Sequence, residues 1–464
     1  MKADSNLEQD IRELKVIVSD KLHRLTQFQK DFSRFKGYLS TEEKKLTSEK
    51  THKLIEKFAD FLKRSPRDRN ALRLLVADFA SLMIASDWQS PSYDFSLYSQ
   101  AGRQTGKITG TVNDYKRDVH LDERAYEKEY IRQYIDARFK FRLSAFLVAS
   151  GQAAFQTILT YLQSEGKLNG NVLCGQASYF QYKQILQGIF RNKLIEVAED
   201  DTARILASIK KTKPKAVFLD SLCNSSQIAV PDIAAIMKFI YRECREEIYF
   251  IIDNTCLSVY CQPFNWRTNN RNVHLLTFES LNKYHQYGLD RVTGGIIVCE
   301  ERDAAGIYEY RKHAGTNMTD FSLFCLPSPD RKLLENRLKR HQRNACVLAE
   351  FLDSGKVQVI YPGLPQHPGY PILKNRGFFG SFLNLSFKNN HPIYFKKIIS
   401  RTIDIAKKEK VNLAAGTSFG LNTTRIYLTS LWTKYGQPFL RISAGTETEE
   451  NLGKLKRVFK KALD

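Results

Sequence analysis

The chain has 464 residues, 42% of them hydrophobic, with 24 glycines and 13 prolines. That is enough apolar material for two or more packed domains, and too little Gly and Pro for a fibrous or disordered chain. Net charge is +21, from 71 Lys and Arg against 50 Asp and Glu, but the excess is spread without a long basic block, so a nucleic-acid partner is not expected. No run of eighteen apolar residues occurs, and the polar start 1–10 lacks the pattern of a secretion signal, so neither a membrane span nor an export leader is expected. Eight cysteines, all from Cys174 onward and none in a CxxC pair, read as reduced thiols of a cytoplasmic protein.

Apolar residues at Leu7, Ile11, Leu14, Val18, Leu22, Leu25, Phe28, Phe32 and Phe35 step by three and four, which predicts one long amphipathic helix ending near Gly37. Ser40 and Glu43 have capping-box spacing for a second helix to about residue 63, and a third is expected over 70–84. This charged helical segment carries no catalytic cluster and reads as an oligomerisation or packing arm.

From about residue 150 the pattern changes to strands at 171–173, 216–222, 249–253, 275–278 and 295–298. Helices at 153–165, 180–190, 201–211 and 233–245 lie between them. Such alternation predicts an α/β fold, a mostly parallel sheet with helices on both faces, with ligands bound outside the carboxyl ends of the strands. The last third, from about Pro327, reads as a smaller α/β unit. It has a long helix at 331–352, strands at 357–360, 382–386 and 440–443, and a closing helix over 449–463. The expected division is a helical N-terminal extension over 1–110, a large cofactor-binding domain over 111–326 and a small C-terminal domain over 327–464.

Two strand ends carry the chemistry. The apolar run Tyr249-Phe-Ile-Ile ends in Asp253, and the next apolar run leads into Ser280-Leu-Asn-Lys283-Tyr284. Either residue alone reads as an ordinary surface charge. Together they match what pyridoxal 5′-phosphate needs: a lysine that forms the imine and moves protons, and a carboxylate that keeps the pyridine nitrogen protonated. Ser150-Gly151-Gln152 opens a helix where backbone N–H groups could meet a phosphate, with Ser280 adding a hydroxyl. Tyr179 could stack on the ring.

These segments resemble the Cys/Met-metabolism family of pyridoxal-phosphate enzymes, of fold type I, which includes the cystathionine lyases and synthases. Asp253-Asn-Thr is similar to the family's DNT segment, and Ser280 to Tyr284 with Asp290 and Gly294-Gly295 resembles its S-x-T-K-Y…D…GG signature. Asp220-Ser-Leu-Cys-Asn224 resembles its E-T-P-x-N-P stretch, and Leu440-Arg441-Ile-Ser-Ala-Gly445-Thr-Glu447 its R-x-S-x-G-x-E segment. The resemblance implies Lys283 as the Schiff-base lysine, Asp253 at the pyridine nitrogen, and Gly151, Gln152 and Ser280 at the phosphate. It implies Tyr179 on the ring, Asn224 near its oxygen side, and Arg441 with Ser418 on the substrate carboxylate. Tyr115-Lys-Arg117 resembles a Y-x-R element that enters a neighbouring subunit's phosphate site, which implies a homodimer or homotetramer with shared active sites; catalytic roles fall to Lys283, Tyr179 and Tyr115.

The pattern also departs from the family. Asn282 takes a cofactor-binding position where the family has Thr or Ser, Asp220 is shorter than the usual Glu, and Asp118-Val-His120 replaces Asn-Pro-Thr. The expected activity is elimination or replacement at the γ- or β-carbon of an amino acid bearing sulfur or an activated oxygen, by way of an external aldimine and a carbanion. An aminotransferase or decarboxylase on the same fold, and a non-catalytic binding protein with a degenerate site, are the alternatives.

Overall fold

The computed structural model describes residues 5–34, 41–85, 121–137, 142–290, 292–353, 357–388, 391–429 and 438–464. Tyr115 and Arg117, and the segment Asp118-Val-His120, lie outside the described residues.

The N-terminal periodicity becomes α1 (Ser5–Arg34), α2 (Thr41–Lys63) and α3 (Arg69–Ala85). The seam of α1 finds its partners within the chain: Leu14, Ile17, Val18 and Leu25 are buried in one core with Phe58 of α2 and Phe79 of α3. Phe79 meets both Phe58 and Phe61 edge-on at 5.6 Å. Lys21, fully buried, donates to the carbonyl of Leu326 at 2.7 Å and so pins α1 to the start of the C-terminal third. Of the two roles the sequence suggested for this segment, packing is what its described residues do.

A fourth helix, α4 (Leu121–Tyr134), precedes the main sheet and was not expected from the pattern, because its buried face is the aromatic series Tyr126, Tyr130 and Tyr134 in a run of charges. The sheet then forms from β1 (Leu143–Val148), β2 (Val172–Gly175), β3 (Leu194–Val197), β4 (Ala216–Asp220), β5 (Ile248–Asp253), β6 (Val273–Ser280) and β7 (Gly295–Glu300), in the spatial order β1-β7-β6-β5-β4-β2-β3. Strands β2 to β6 run parallel to their neighbours, while β7 is antiparallel to both β6 and β1. The carboxyl ends of β1, β2, β4, β5 and β6 therefore open on one edge. Alternate residues divide between two cores. Val217, Leu219, Phe250 and Ile252 face one, and Phe218, Tyr249, Ile251 and Leu276 the other. This is why these strands read as unbroken apolar runs.

The connecting helices are α5 (Gly151–Ser164), α6 (Phe180–Phe190), α7 (Thr202–Thr212), α8 (Ile233–Glu243) and α9 (Glu301–His313). A short α10 (Asp320–Cys325) leads to α11 (Arg331–Asp353). The second sheet has the order β10-β11-β12-β9-β8, from β8 (Gln358–Ile360), β9 (Phe382–Ser386), β10 (Ala414–Ala415), β11 (Arg425–Thr429) and β12 (Phe439–Ser443). The helices α12 (Tyr370–Arg376), α13 (Pro392–Lys408) and α14 (Glu449–Leu463) complete this unit, with α11, α13 and α14 supplying its core. The sequence reading found β8, β9, β12, α11 and α14 but not α12, α13, β10 or β11. No described helix is long and apolar enough to cross a membrane, and all eight cysteines are free.

Candidate active site

The common strand edge gathers the residues singled out above. Asp220 ends β4 and Asp253 ends β5, and the parallel register sets them side by side. The Asp220 carboxylate accepts the Tyr179 N–H at 3.1 Å and the Tyr182 hydroxyl. Burial, reinforced by neighbouring Asp253, holds its carboxyl well above the usual carboxylate range. Asp253 is pushed up to about 6, mainly by loss of solvent, and accepts the Thr255 N–H at 3.0 Å. Thr255 also accepts the Ser280 N–H through its hydroxyl at 2.9 Å, which couples the mouth of β5 to that of β6. Asn254 locks the same turn by donating to the carbonyls of Ser258 and Cys261 and to Glu279.

Lys283 follows β6. Its ammonium donates to Ser418 Oγ at 2.8 Å and lies 5.3 Å from the centre of the Phe419 ring. Burial lowers its pKa, against attraction from Cys256, Asp290 and Asp253. Lys283 and Asp253 each feel the other's charge, from the mouths of the adjacent parallel strands β6 and β5. Tyr179 feels both Asp253 and Asp220, and its hydroxyl donates to Gln181 at 3.0 Å.

The phosphate-side residues form a close-packed corner. Ser150 caps α5, accepting the Ala153 N–H at 3.0 Å; the N–H groups of Gly151 and Gln152 belong to the helix-start donors that have no acceptor within the helix. A Cβ on Gly151 would sit 2.8 Å from Ser280 Cβ, and one on Gly295 only 2.2 Å from the Ser150 carbonyl oxygen. Only glycine lets these backbones approach and leaves the helix start open. Asn282 Oδ1 accepts the Gly294 N–H at 2.8 Å, tying the lysine loop to the entry of β7. Gln152 reaches sideways to Gln181 at 3.3 Å.

Across the cleft, Arg441 of β12 is 1% exposed and has no carboxylate partner among the described residues. Its donors go to Asn384 Oδ1 at 2.8 Å, Ser225 O at 3.2 Å and Asn224 Oδ1. Its guanidinium lies 4.2 Å from the Phe382 ring centre, and burial lowers its pKa. A desolvated cation held only by neutral groups is poised for an anion. Asn384 was missed in the sequence. It interrupts the apolar β9 run, sits opposite Arg441 in register, and donates to the carbonyls of Ser225 and Ser226. The polar break in Phe-Leu-Asn-Leu-Ser was the available signal.

The described residues fit pyridoxal 5′-phosphate on three observations. A glycine-built gap opens at a helix start, a poorly solvated carboxyl at Asp253 gains from a cation beside it, and a half-desolvated lysine lies in the same cleft. The folding pattern is that of the fold type I pyridoxal-phosphate enzymes. Residues 83–425 match the profile described as Cys/Met metabolism PLP-dependent enzyme, and the chain belongs to that family. It is 26% identical over 312 residues to the bifunctional enzyme flvA of Aspergillus flavus, a match covering 66% of this chain and 37% of that protein. It is 30% identical over 242 residues to a cystathionine beta-lyase of Schizosaccharomyces pombe, covering 51% and 57%. The chain thus spans well under two thirds of the length of these two relatives. A solved cystathionine gamma-lyase of Lactobacillus plantarum, complexed with L-serine, superposes with a TM-score of 0.63 at 21% identity, over 81% of this chain and 94% of that one.

Proposed function

We propose that this chain is an enzyme that eliminates or replaces a sulfur or activated-oxygen substituent at the γ- or β-carbon of an amino acid, with pyridoxal 5′-phosphate attached to Lys283. The observation that carries this reading is the set of three groups: the part-buried Lys283 amine and the Asp253 carboxyl at the mouths of neighbouring strands of the large sheet, and the carboxylate-free Arg441 guanidinium of the second sheet, held by Asn224 and Ser225 just beyond β4. Bound there, the cofactor supplies an electron sink for the carbon α to the amino group.

The chain's own residues do the rest. Gly151, Gln152 and Ser280 hold the phosphate with backbone and hydroxyl donors at the start of α5. Asp253, raised to about 6 by burial, would keep a proton on the ring nitrogen. Tyr179 would cover the ring, Asn224 would lie near its oxygen side, and Asn282 would lie on the phosphate side. Arg441 and Ser418 take the substrate carboxylate, which orients the bond to be broken. Lys283, its pKa lowered by desolvation, accepts the α-proton as the amine, and Ser418 Oγ steers that amine. Arg441 lies beyond the matched span 83–425, so its role rests on its burial and partners.

Residues 1–110 are read as a helical extension, 111–326 as the cofactor-binding unit and 327–464 as the small unit. By resemblance, Tyr115 and Arg117 serve a neighbouring copy's phosphate site in a cytoplasmic homodimer or homotetramer. The test is Lys283→Ala. Loss of the visible absorbance of the cofactor-loaded protein together with loss of turnover supports the assignment; retained turnover overturns it.

A further inference from the structure

Helix α1 lies outside the matched span 83–425, yet it places two buried acids against the arginines that hold the site's loops. Glu13 and Asp10 are each 6% exposed. Glu13 pairs with Arg340 at 3.3 Å and with Arg337 at 3.8 Å, while Asp10 pairs with Arg69 at 2.9 Å and with Arg340.

These arginines reach into the site's two loops. Arg337 donates to the carbonyl of Gly420 at 2.9 Å. Gly420 has φ +83° and lies so close to the lysine backbone that a Cβ there would be 2.6 Å from the Lys283 carbonyl carbon. Two residues earlier is Ser418, a non-glycine at φ +80°, whose hydroxyl holds the Lys283 amine. A left-handed serine is sustained only by its surroundings. Here these are Arg425, donating to Thr417 O at 2.5 Å, and Arg337 on the far side. Arg340 and Arg69 both donate to Thr446 O, at 3.1 and 2.9 Å, and so fix the segment that follows Arg441 and β12.

We propose that α1 is a positioning strap for the active site: Glu13 and Asp10 neutralise the buried guanidinium groups of Arg337, Arg340 and Arg69, which in turn hold the Ser418–Gly420 turn against Lys283 and the 444–447 segment beside Arg441. Arg337 and Arg340 are almost fully buried. Without the acids they would be uncompensated buried charges and would rearrange toward solvent, releasing Gly420 O and Thr446 O. Glu13 and Arg337 are positioning residues that touch neither substrate nor cofactor. The proposal rests on the reading of Lys283 and Ser418 given above.

The experiment uses the full chain with Glu13→Gln, the milder Glu13→Asp, Arg337→Lys, and Glu8→Gln as a control at an exposed α1 acid. Two readouts are taken. One is amide hydrogen exchange of residues 416–421 and of α1 in the cofactor-free protein. The other is the pH midpoint of the visible band after loading with pyridoxal 5′-phosphate, which reports the field on Lys283 from Ser418, Asp253, Asp290, Cys256 and Arg425. The expected result is exchange of 416–421 faster by about tenfold or more in Glu13→Gln and Arg337→Lys. Glu13→Asp should be intermediate and Glu8→Gln should match the parent, with α1 still protected and the band's midpoint moved in the same order. Unchanged exchange in 416–421, whether α1 stays docked or loses protection itself, overturns the strap. A parent protein that develops no visible band refutes the cofactor reading instead, and the exchange of the cofactor-free protein still decides the strap.

Discussion

The buried guanidinium groups of α11 and of β12 differ in what neutralises them. Arg337 and Arg340 of α11 are met by Glu13 and Asp10 of α1. Arg441 of β12 is met by two asparagine side chains and a backbone carbonyl. A buried cation paired with acids is part of the fold's own charge balance; one held by neutral oxygens carries a charge that no acid offsets, as the proposed carboxylate-binding role of Arg441 requires. The contrast separates the arginines that pack this chain from the one proposed to recognise its substrate.

Substitution should expose that difference. Arg337→Met leaves Glu13 with Arg340 as its one remaining guanidinium partner and leaves Gly420 O without its donor, and is expected to cost about 1–3 kcal/mol of stability, read as a fall in denaturation midpoint. Arg441→Met removes a charge with no carboxylate to strand, so the cofactor-free protein should stay within about 1 kcal/mol of the parent, or gain. Equal destabilisation by the two would erase the distinction. Arg441→Lys keeps the charge and loses the fork. It should raise KM by roughly a hundredfold with a smaller change in kcat, measured with any amino acid that is turned over.

Asp253 sharpens the comparison from the acid side. Its folded pKa is raised to about 6 from an unfolded value near 3.8, so between those values the folded state holds more protons than the unfolded one. Stability of the cofactor-free protein should therefore fall as pH rises from about 4 to 6. Asp253→Asn should flatten that part of the profile, as read by urea midpoints at pH 4.5 and 6.5. An unchanged slope would assign the dependence to other acids. The smallest effect is expected from Asn282→Thr. Threonine restores a hydroxyl but gives up the bond to Gly294 N, so cofactor affinity should change only a few-fold, by titration of the visible band.

The half of the site on the large sheet was legible in the sequence because its signals are local. An apolar strand ends in Asp253, another runs into Lys283, and Ser150-Gly151 opens a helix. In the other half Arg441 and Ser418 were named through the family resemblance, but the partners that hold them depend on register and packing. Asn384 means nothing until β9 and β12 pair so that it faces Arg441. The salt links of α1 to α11 join residues more than three hundred positions apart. The α1–α3 helices were visible from their periodicity, but the seam of α1 gave no sign that its partner was the chain itself. Missed elements have physical causes as well. β3 is a half-exposed edge of four residues, and α13 carries its buried stripe of Phe395, Ile398, Thr402 and Ala406 within a lysine-rich segment.

The most direct test of the central claim is to load the protein with pyridoxal 5′-phosphate, reduce it with borohydride and map the modified peptide by mass spectrometry. The account predicts one pyridoxyl group on Lys283. A pyridoxyl group on a different lysine, or none after loading at saturating cofactor, would contradict it.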